Sequence, residues 1–524
     1  MNRSIKQTIL GHPPPLPIPH RSIPQPTGPD LDLISVAHSH LIHGEWPELS
    51  AVLARFHLTP FRTNHILLKT RPDPVLSLEF FNFADKHFPD SITHDTRSII
   101  LHIQTKSARF AVADSLLRRN PIFDSPQSSP ALFESLLRTY RACDSSHRAF
   151  DALFRAYARA RRFHCATDVF RRMKDYGFLP CVSSCNAYLN ALNAKSRARV
   201  ALAFYREMGR CRIAPNVYTL NAVMHAHCVL GRLESAVDVF RGMERAGCRP
   251  DRVSFGTLIA AHCKNGLLGE AVRLKTAMSA SGVDPGVVTY NALIHGFCKE
   301  GKVREANRLF REMKARGVAP NVITYNILIN AYGMMNNSEL GGRVFEEMLK
   351  EGVKPDILTY NALILGFCNE GKTKKASHLV RELDRRGLAP NSSTFYALIK
   401  GECKRRNADR ALRFYKAMIG CGCHPNSDIF GMLISAFCRN EDFEGAVPIL
   451  KEMLGRSMAV EEGVVVELFE GLYRSGKSEL ADELQMELGD GEASDFGKTD
   501  DVRSAHSETY SRGYEAKQCA GRER

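Results

Sequence analysis

Residues 287–321 read VVTYNALIHGFCKEGKVREANRLFREMKARGVAPN, and residues 322–356 repeat the pattern, beginning with VITYNILIN and ending in GVKPD. Each block is 35 residues long, and the same period continues on both sides of this pair. One proline marks the same position of successive blocks, at Pro180, Pro215, Pro250, Pro285, Pro320, Pro355, Pro390 and Pro425. Self-similarity at a fixed period of about 20–50 residues is the signature of a stacked repeat array.

Two further residue types keep this spacing. A small residue recurs at Ala166, Ala201, Ala236, Ala271, Ala306, Gly341, Ala376, Ala411 and Ala446. Methionine recurs at Met173, Met208, Met243, Met278, Met313, Met348, Met418 and Met453. Because three residue types share one period, the sequence predicts nine consecutive structural units over residues 147–461.

Each block contains two segments with apolar residues at helical spacing, typified by TYNALIHGFCK and VREANRLFREMKARG. A Gly-Lys or Gly-Arg turn joins the segments, and the second one ends at a glycine that a proline follows three residues later. This order of glycine and proline is typical of a helix C-terminus. Each block therefore predicts an antiparallel helical hairpin. Since one hairpin cannot bury both of its faces, the hairpins should stack into an all-α, right-handed α-solenoid with a long concave surface.

The segments outside the nine blocks differ from them in composition. Residues 1–29 are basic, rich in proline and free of acidic residues, which fits either a disordered tail or an organelle transit peptide. Residues 30–93 predict an N-terminal helical region, and residues 94–146 a degenerate repeat followed by a loop. Residues 462–488 predict a degenerate capping repeat, and residues 489–524 a disordered tail.

Composition narrows the classes of partner and site. The net charge of +14 indicates a polyanionic partner. No apolar run reaches the length of about 18 residues that a membrane span needs, so no membrane association is predicted. Six of the 15 cysteines occupy one position of the repeat, at Cys228, Cys263, Cys298, Cys368, Cys403 and Cys438. This regular spacing is typical of buried thiols in a reducing compartment, and the paired spacing of a metal site is absent. No metal or cofactor is predicted.

Two stretches match the phosphate-loop pattern GxxxxGK[ST], at residues 366–373 and 471–478. That motif binds phosphate only where a β-strand feeds the loop, whereas a helical segment precedes both stretches here. Both also fall at one position of the repeat, which indicates turns between helices. No catalytic constellation stands out elsewhere, and the zinc deaminase signature of HxE with PCxxC is missing. The sequence therefore predicts that the protein is not an enzyme.

The pattern TYNALIxGFCKxGxxxxAxxLFxEMxxxGxxP[ND] carries the family resemblance, in residues 287–321, 322–356 and 357–391. Tetratricopeptide repeats have a period of roughly 34 and a tryptophan signature, but the one tryptophan here, Trp46, lies outside the blocks. Residues 147–488 instead resemble the P-type pentatricopeptide repeat family. The resemblance implies a helical solenoid that binds single-stranded RNA at about one base per repeat, mostly in plant mitochondria and chloroplasts.

In that family the fifth and the last residue of each block choose the base. The resemblance thereby assigns base reading to Asn186, Asn216, Asn221, Asp251, Asn291, Asn321, Asn326, Asp356, Asn361, Asn391 and Asn426. A single such asparagine has an alternative role as a helix N-cap. Gly256 and Gly286 have no side chain to read with. Three further pairs depart from the pattern, namely Asp151/Cys181, Tyr396/Asn426 and Gly431/Glu461.

The side chains indicate which bases these pairs favour. An aspartate at the last position accepts the N3–H of uracil, whereas an asparagine there donates to N3 of cytosine. Asn/Asp pairs should therefore favour U, and Asn/Asn pairs should favour C and tolerate U. Read in order over residues 182–391, the blocks predict a 5′-to-3′ tract Y-U-N-Y-U-Y, where Y is a pyrimidine.

Further contacts follow from the same resemblance. The second residue of a block should wedge between successive bases, at Val253, Val288, Ile323 and Leu358. Phosphates should be contacted at one shared position by Lys264, Lys299, Lys404 and Arg439, although a solvated basic turn is the alternative. The repeated Tyr290, Tyr325 and Tyr360 are predicted to pack between repeats rather than to stack on bases.

The resemblance implies a sequence-selective RNA-binding protein of an organelle, mitochondrial by the frequency of the family and chloroplast as the alternative. Occupancy of a transcript would then alter its stability, processing, splicing or translation. The expected partners are single-stranded RNA and RNA-processing proteins, and the expected state is a monomer. A helical scaffold for protein partners is the alternative function.

Overall fold

In a computed structural model, residues 15–19, 23–125, 128–459 and 461–489 are described, and all regular structure within these ranges is helical. The chain forms two compact units, Met1–Thr289 and Tyr290–Arg524. Within each unit, helical hairpins stack so that the first helix of one hairpin contacts the first helix of the next. The predicted all-α solenoid of 35-residue hairpins is thereby confirmed.

The helices fall into three sets. Before the regular blocks lie α1 (Pro29–His43), α2 (Trp46–Arg55), α3 (Pro60–Thr70), α4 (Pro74–His87), α5 (His94–Lys106), α6 (Phe110–Arg118) and α7 (Ser128–Thr139). The first helices of the blocks are α8 (Arg148–Arg159), α10 (Val182–Ala194), α12 (Val217–Val229), α14 (Arg252–Lys264), α16 (Val287–Lys299), α18 (Val322–Met334), α20 (Ile357–Asn369), α22 (Ser392–Lys404), α24 (Ser427–Arg439) and α26 (Glu462–Arg474). The second helices are α9 (Phe163–Asp175), α11 (Ala198–Arg210), α13 (Leu233–Met243), α15 (Leu268–Ala280), α17 (Val303–Ala315), α19 (Ser338–Lys350), α21 (Thr373–Arg385), α23 (Ala408–Gly420), α25 (Phe443–Gly455) and α27 (Ser478–Gly489).

Local sequence sets where the helices begin and end. Asn321 precedes α18, and its Oδ1 accepts a hydrogen bond from the Thr324 amide at 3.0 Å. The Thr324 hydroxyl in turn accepts from the Asn321 amide at 3.2 Å, which completes a reciprocal capping box. After α17 the chain turns at Gly317, whose φ of 73° lies in the left-handed region that glycine adopts without a steric penalty. These signals recur in most blocks and fix the 35-residue register.

The repeated small, methionine and tyrosine positions form the core, as the sequence predicts. Ala306 and Met313 are fully buried on α17. Tyr325 is also fully buried, and its ring meets that of Phe310 edge-on at a centroid distance of 5.6 Å. The same edge-on contact recurs between Tyr360 and Phe345 at 5.6 Å. The tyrosines therefore pack between helices and are not free to stack on a ligand.

The repeated cysteine position is also part of the interior. Cys263, Cys368, Cys403 and Cys438 are buried free thiols, and Cys228 and Cys298 are partly buried. Burial raises the pKa of the Cys263 thiol to about 11 and that of the Cys368 thiol to about 12. Such thiols stay protonated at neutral pH and pack as small apolar groups.

The segment predicted as a degenerate repeat and loop, residues 94–146, contains more helix than expected. Helices α5 and α6 form a hairpin, and α7 then occupies Ser128–Thr139, where the sequence predicts a loop. The loop prediction is wrong there because Leu132, Phe133, Leu136 and Leu137 recur at helical spacing and are buried against neighbouring helices. The serine and proline residues just before them conceal this pattern. Residues 30–93 hold two further hairpins, α1 with α2 and α3 with α4.

The two chain ends extend past the described residues. The predicted tail 489–524 lies outside them except at residue 489, and so do residues 1–14 and 20–22 of the predicted tail or transit peptide 1–29. Residues 15–19 have no regular secondary structure and contact the repeats: the Leu16 amide donates to the Asp175 carbonyl at 2.8 Å, and Ile18 packs against the core. The predicted disorder therefore does not apply to residues 15–19, because these contacts hold them against the repeats.

Two further features concern the phosphate-loop pattern and membrane-spanning helices. The phosphate-loop-like stretch at residues 366–373 joins α20 to α21 through Gly371, whose φ is 73°, so it is a turn between helices as predicted. Among the described residues, no helix is both long and apolar enough to cross a membrane.

Candidate nucleic-acid interface

The structure brings the fifth and the last residue of five blocks into direct contact. In each case the amide nitrogen Nδ2 of the fifth residue donates to Oδ1 of the last residue. The distances are 3.0 Å for Asn186–Asn216, 3.0 Å for Asn221–Asp251, 3.2 Å for Asn291–Asn321, 3.1 Å for Asn326–Asp356 and 3.0 Å for Asn361–Asn391. The sequence singles out these residues but does not predict that they bond to each other.

Each pair bridges two consecutive first helices. Asn326 lies on α18, whereas Asp356 is the N-cap of α20. The hydroxyl of Thr359, on the first turn of α20, donates to Oδ1 of Asn326 at 2.6 Å and to Oδ1 of Asp356 at 2.9 Å. The N-cap role and the pairing therefore coexist in one side chain, and the capping alternative does not exclude base contact.

The hydroxyl residue is a member of the site that the sequence analysis missed. In five blocks it is the third residue, and it bonds the asparagine at the fifth position of the block before it. Its members are Thr219, Ser254, Thr324, Thr359 and Thr394, with distances to the asparagine of 2.6–2.7 Å. The regular recurrence of serine or threonine at this position was the available signal.

These bonds decide which polar groups remain for a ligand. The Asn326 carbonyl oxygen accepts from Thr359 and one of its two amide hydrogens goes to Asp356, so one N–H remains. The bonds from Asn326 and Thr359 both end on Oδ1 of Asp356, which leaves Oδ2 outside them. An Asn/Asp pair thus offers a donor beside an acceptor. In an Asn/Asn pair the corresponding group is an amide nitrogen, so both groups are donors.

The two aspartates are held in the ionised state. Burial of the Asp356 carboxyl raises its pKa, but the bonds from the Thr359 amide, the Asn326 amide and the Thr359 hydroxyl outweigh burial and hold the pKa below its usual range. Asp251 has the same balance of burial against bonds from Ser254 and Asn221, and its pKa is also lowered. At neutral pH both side chains therefore accept hydrogen bonds and donate none.

The predicted wedge residues are exposed apolar side chains. Val253, Val288, Ile323 and Leu358 are 57%, 77%, 58% and 61% exposed. Each lies one residue before the hydroxyl position and three residues before the fifth residue of its own block. The two side chains are therefore neighbours on one helix face, except in the block of Val253, where the fifth residue is Gly256. Tyr218, which the sequence analysis omitted, holds this position in its block and is 70% exposed. Exposed apolar groups at one repeated position suit a flat apolar ligand surface.

The four predicted phosphate contacts share one place on the first helices. Lys264, Lys299, Lys404 and Arg439 are each the last residue of their helix and are exposed. Lys264 follows Val253 by 11 residues, about three helical turns, so both lie on one face of α14. None of the four cations forms an ion pair with a described residue. Met334 and Asn369 occupy this position in two sibling blocks, so not every block carries a cation there.

The blocks whose fifth and last residues depart from the family pattern also differ in structure. Asn426 caps α24 by accepting from the Ile429 amide at 3.2 Å, but its partner position holds Tyr396. The Tyr396 ring instead lies 5.6 Å from the Lys400 ammonium. Asp151 accepts from the Cys181 amide at 2.9 Å and from the Ser184 hydroxyl at 2.9 Å, so this pair keeps the bridging geometry with different residues.

The described residues do not group potential metal ligands together. Within residues 15–19, 23–125, 128–459 and 461–489, no three histidine, cysteine or acidic side chains lie close enough together to hold a metal ion. The polar groups of the candidate site are amides, carboxylates and hydroxyls at helix junctions, which suit hydrogen bonding to a neutral polar ligand.

Comparisons with known proteins agree with this architecture. A sequence profile described as PPR repeat family matches residues 180–228, 215–264, 285–334, 320–369 and 355–404. Profiles described as PPR repeat match residues 148–178, 253–283, 393–423 and 421–454. Together these matches cover more than half of the chain.

Individual relatives match parts of the sequence. A mitochondrial pentatricopeptide repeat-containing protein of Arabidopsis thaliana is 50% identical over 195 residues, which is 37% of this chain and 37% of the relative. A second Arabidopsis thaliana pentatricopeptide repeat-containing protein is 30% identical over 154 residues, or 29% of this chain and 21% of the relative. The matched stretches thus span well under two thirds of either relative.

A solved structure shares the fold. It is that of the pentatricopeptide repeat protein PPR10 in complex with an 18-nt psaJ RNA element. The similarity has a TM-score of 0.50 at 21% identity and covers 86% of this chain and 73% of that one. At this identity the likeness concerns the helical-repeat fold.

Proposed function

The chain belongs to the pentatricopeptide repeat family, and from this premise we propose that it binds single-stranded RNA with sequence selectivity in a plant organelle. One observation carries the proposal. Five hydrogen-bonded amide or carboxylate pairs recur at one position of the repeat, and exposed apolar side chains recur three residues before the fifth residue. A base needs both a hydrogen-bonding edge and an apolar surface against its face, and the two are provided once per repeat.

The hydrogen-bond donors and acceptors that each pair leaves free indicate which base it favours. The remaining N–H of Asn326 and Oδ2 of Asp356 form a donor beside an acceptor, which complements O4 and N3–H of uracil. The Asn221/Asp251 pair is equivalent and also favours uracil. The Asn/Asn pairs present two donors, which complement O2 and N3 of cytosine, with uracil tolerated through its carbonyl oxygens. In chain order the blocks of residues 182–391 therefore read Y-U-N-Y-U-Y.

The other contacts hold the strand without reading it. Val253, Val288, Ile323 and Leu358 insert between successive bases, and Tyr218 extends the series by one block. Lys264, Lys299, Lys404 and Arg439 attract the phosphate backbone. Such ionic contacts add affinity that does not depend on sequence.

The mechanism is occupancy of a transcript. A bound pyrimidine-rich tract is shielded from nucleases and kept out of competing base pairs, which changes RNA stability, processing, splicing or translation. The chain acts without catalysis of its own, as a monomer, and it operates beside other RNA-processing proteins. The mitochondrial Arabidopsis thaliana relative supports a mitochondrial location, with the chloroplast as the alternative organelle. The PPR10 solenoid, which holds an 18-nt RNA element, supports RNA as the ligand of this fold.

The salt dependence of binding tests the class of function. The full chain is titrated with a fluorescent single-stranded RNA that contains U-U-A-U-U-U, over a series of salt concentrations. Affinity should fall with a log–log slope of about −0.7 for each phosphate contacted. Replacing Lys264, Lys299, Lys404 and Arg439 by glutamine should make the slope shallower. As a matched control, glutamine at Arg245, Arg273, Lys350 and Lys416 removes four charges elsewhere and should leave the slope unchanged.

A protein-binding scaffold is the second candidate and gives a different result. In that case the RNA would not be retained at roughly physiological ionic strength, and both quadruple variants would behave alike. The exposed apolar residues would then be docking points for peptide side chains. Binding of the RNA with the expected slope excludes this alternative as the main function of the surface.

A further inference from the structure

One block departs from its siblings at three positions at once. In residues 252–286 the fifth and last residues are Gly256 and Gly286, so the usual reading pair is absent. The first residue of the same block is Arg252. That position is aliphatic in the neighbouring blocks, with Val182, Val217, Val287, Val322 and Ile357. The coincidence of the three changes in one block indicates that they compensate for one another.

The Arg252 side chain occupies the space that the last residue would otherwise use. A Cβ added to Gly286 would lie 3.4 Å from Cδ, 3.5 Å from Nη1 and 3.7 Å from Cζ of Arg252. The guanidinium therefore stands where the amide or carboxylate of a last residue begins in the other blocks. A Cβ added to Gly256 would meet nothing within 4 Å, so the fifth position remains open.

Arg252 has no evident structural role of its own. It is the first residue of α14, where the positive end of the helix dipole disfavours a cation by about 0.3–1 kcal/mol. Its side chain is exposed, and it forms no ion pair with any residue that the structure describes. The aliphatic residues at this position in sibling blocks pack against the core, as Val217 and Ile357 do, whereas Arg252 does not. A ligand contact accounts for its presence.

We propose that Arg252 reads a guanine at the third base of the tract, in the place of the missing pair. This inference rests on the proposed RNA-binding function and replaces the unspecified base by a defined one. A guanidinium has five donors and no acceptor, and its fork matches O6 and N7 of guanine. Adenine and uracil present a donor beside each acceptor, which the fork cannot satisfy. Gly256 leaves the fifth position open for a purine, so the tract becomes Y-U-G-Y-U-Y.

The test uses the full chain and four RNAs that differ only in the third base of the core, U-U-N-U-U-U. The wild type should bind the guanine RNA on the order of tenfold more tightly than the adenine or uracil RNA. Arg252→Val, which restores the residue of the siblings, should bind all four alike. Arg252→Lys keeps the charge without the fork, so it should bind the adenine and uracil RNAs as the wild type does and lose the additional affinity for the guanine RNA. Arg245→Val, a charge-matched control on an exposed residue, should keep the preference for guanine.

Each other outcome overturns the assignment. Equal binding of the four RNAs by the wild type would contradict guanine reading by Arg252 without contradicting the proposed RNA-binding function. A preference for cytosine would show that the fork meets O2 and N3 of a pyrimidine, which contradicts guanine reading. If Arg252→Val weakened all four RNAs equally and made the salt slope shallower by about 0.7, Arg252 would contact a phosphate. Failure of every RNA to bind would overturn the RNA-binding proposal itself.

Discussion

At the scale of the residue, Asp356 combines two roles in one carboxylate. Oδ1 caps α20 and holds Asn326, while Oδ2 lies outside these bonds. Because helix formation requires only Oδ1, the group on the second branch can change without loss of the cap. The Asn361/Asn391 pair demonstrates this, since asparagine caps α22 with the same bonds. Under the proposed function, base choice is thereby separated from folding within a single side chain.

Asp356→Asn should change the preferred base at one position. The variant presents a donor in place of an acceptor, so the fifth base of the core should shift from uracil toward cytosine. The change in relative affinity should be roughly tenfold, since a hydrogen bond to a charged group contributes about 1.5–3 kcal/mol. Binding to RNAs that differ only at this base measures it. Asp251 provides the internal control, because the uracil preference at the second base should stay. An unchanged preference at the fifth base would contradict the assignment.

Thr324→Val should weaken base selectivity at the Asn291/Asn321 pair, which bridges two consecutive first helices. The Thr324 hydroxyl holds Asn291 at 2.7 Å and Asn321 at 3.0 Å, and valine has the same shape without these bonds. Selectivity at the fourth base should fall about fivefold, and the free energy of unfolding by about 1–2 kcal/mol.

The matched control is Thr276→Val. Thr276 is exposed, and its hydroxyl donates to the Val272 carbonyl of its own helix. It should leave both quantities within error. Loss of stability in Thr324→Val with full selectivity at the fourth base would show that the hydroxyl only caps the helix.

At the scale of the element, one block carries a charge in its interior. Glu402 on α22 is 1% exposed, and neither carboxylate oxygen has a hydrogen-bond partner among the described residues. The Arg410 guanidinium approaches it at 3.4 Å. Sibling helices carry Leu192, Phe367 and Phe437 at this position. A buried carboxylate with so little compensation weakens the packing between α22 and its neighbours.

Glu402→Leu should stabilise the protein. Leucine has a similar volume and removes the buried charge, so the free energy of unfolding should rise by roughly 1–3 kcal/mol. Thermal unfolding followed by circular dichroism should show a higher midpoint. Glu234→Leu removes a charge from an exposed site on α13 and serves as the control without gain. A lower midpoint for Glu402→Leu would mean that the ion pair with Arg410 is a net stabilising contact.

Helix hairpins, caps and core positions were predictable because each depends on local periodicity. Ala306, Met313 and Tyr325 occupy the predicted core, since a repeat shows the same environment to the same position many times. Contacts between blocks were harder to predict from the sequence. The approach of α18 to α20, where a Cβ on Gly333 would lie 3.0 Å from Cα of Gly366, depends on two glycines in different blocks. Helix α7 was missed for a related reason, because it interrupts the period that guides the prediction.

The candidate site shows the same division. Its asparagines and aspartates were found from the family pattern, but their mutual hydrogen bonds and the supporting hydroxyls emerge only when two helices meet. The proximity of Arg252 to Gly286 was also hidden, because the two residues are 34 positions apart in the sequence. Sequence periodicity identifies positions, whereas contacts between positions require the fold.

At the scale of the whole molecule, the proposed function makes the order of the blocks along the chain the order of bases along the RNA. The net charge of +14 raises the rate and strength of association with any nucleic acid. Under the proposed function, selectivity then comes from the five hydrogen-bonded pairs, because the wedge residues and the cations hold the strand without reading it. The central claim is that these pairs, taken in sequence, define one tract.

Selection from a randomised single-stranded RNA pool by the full chain tests that claim most directly. At roughly physiological ionic strength, the retained RNAs should share a core of Y-U-N-Y-U-Y, with uracil strongest at the second and fifth positions and guanine at the third if Arg252 reads that base. The positions assigned to Asn186/Asn216, Asn291/Asn321 and Asn361/Asn391 should hold either pyrimidine, with cytosine favoured. Retained RNAs without a shared core, or no RNA retained at all, would contradict base reading by these pairs.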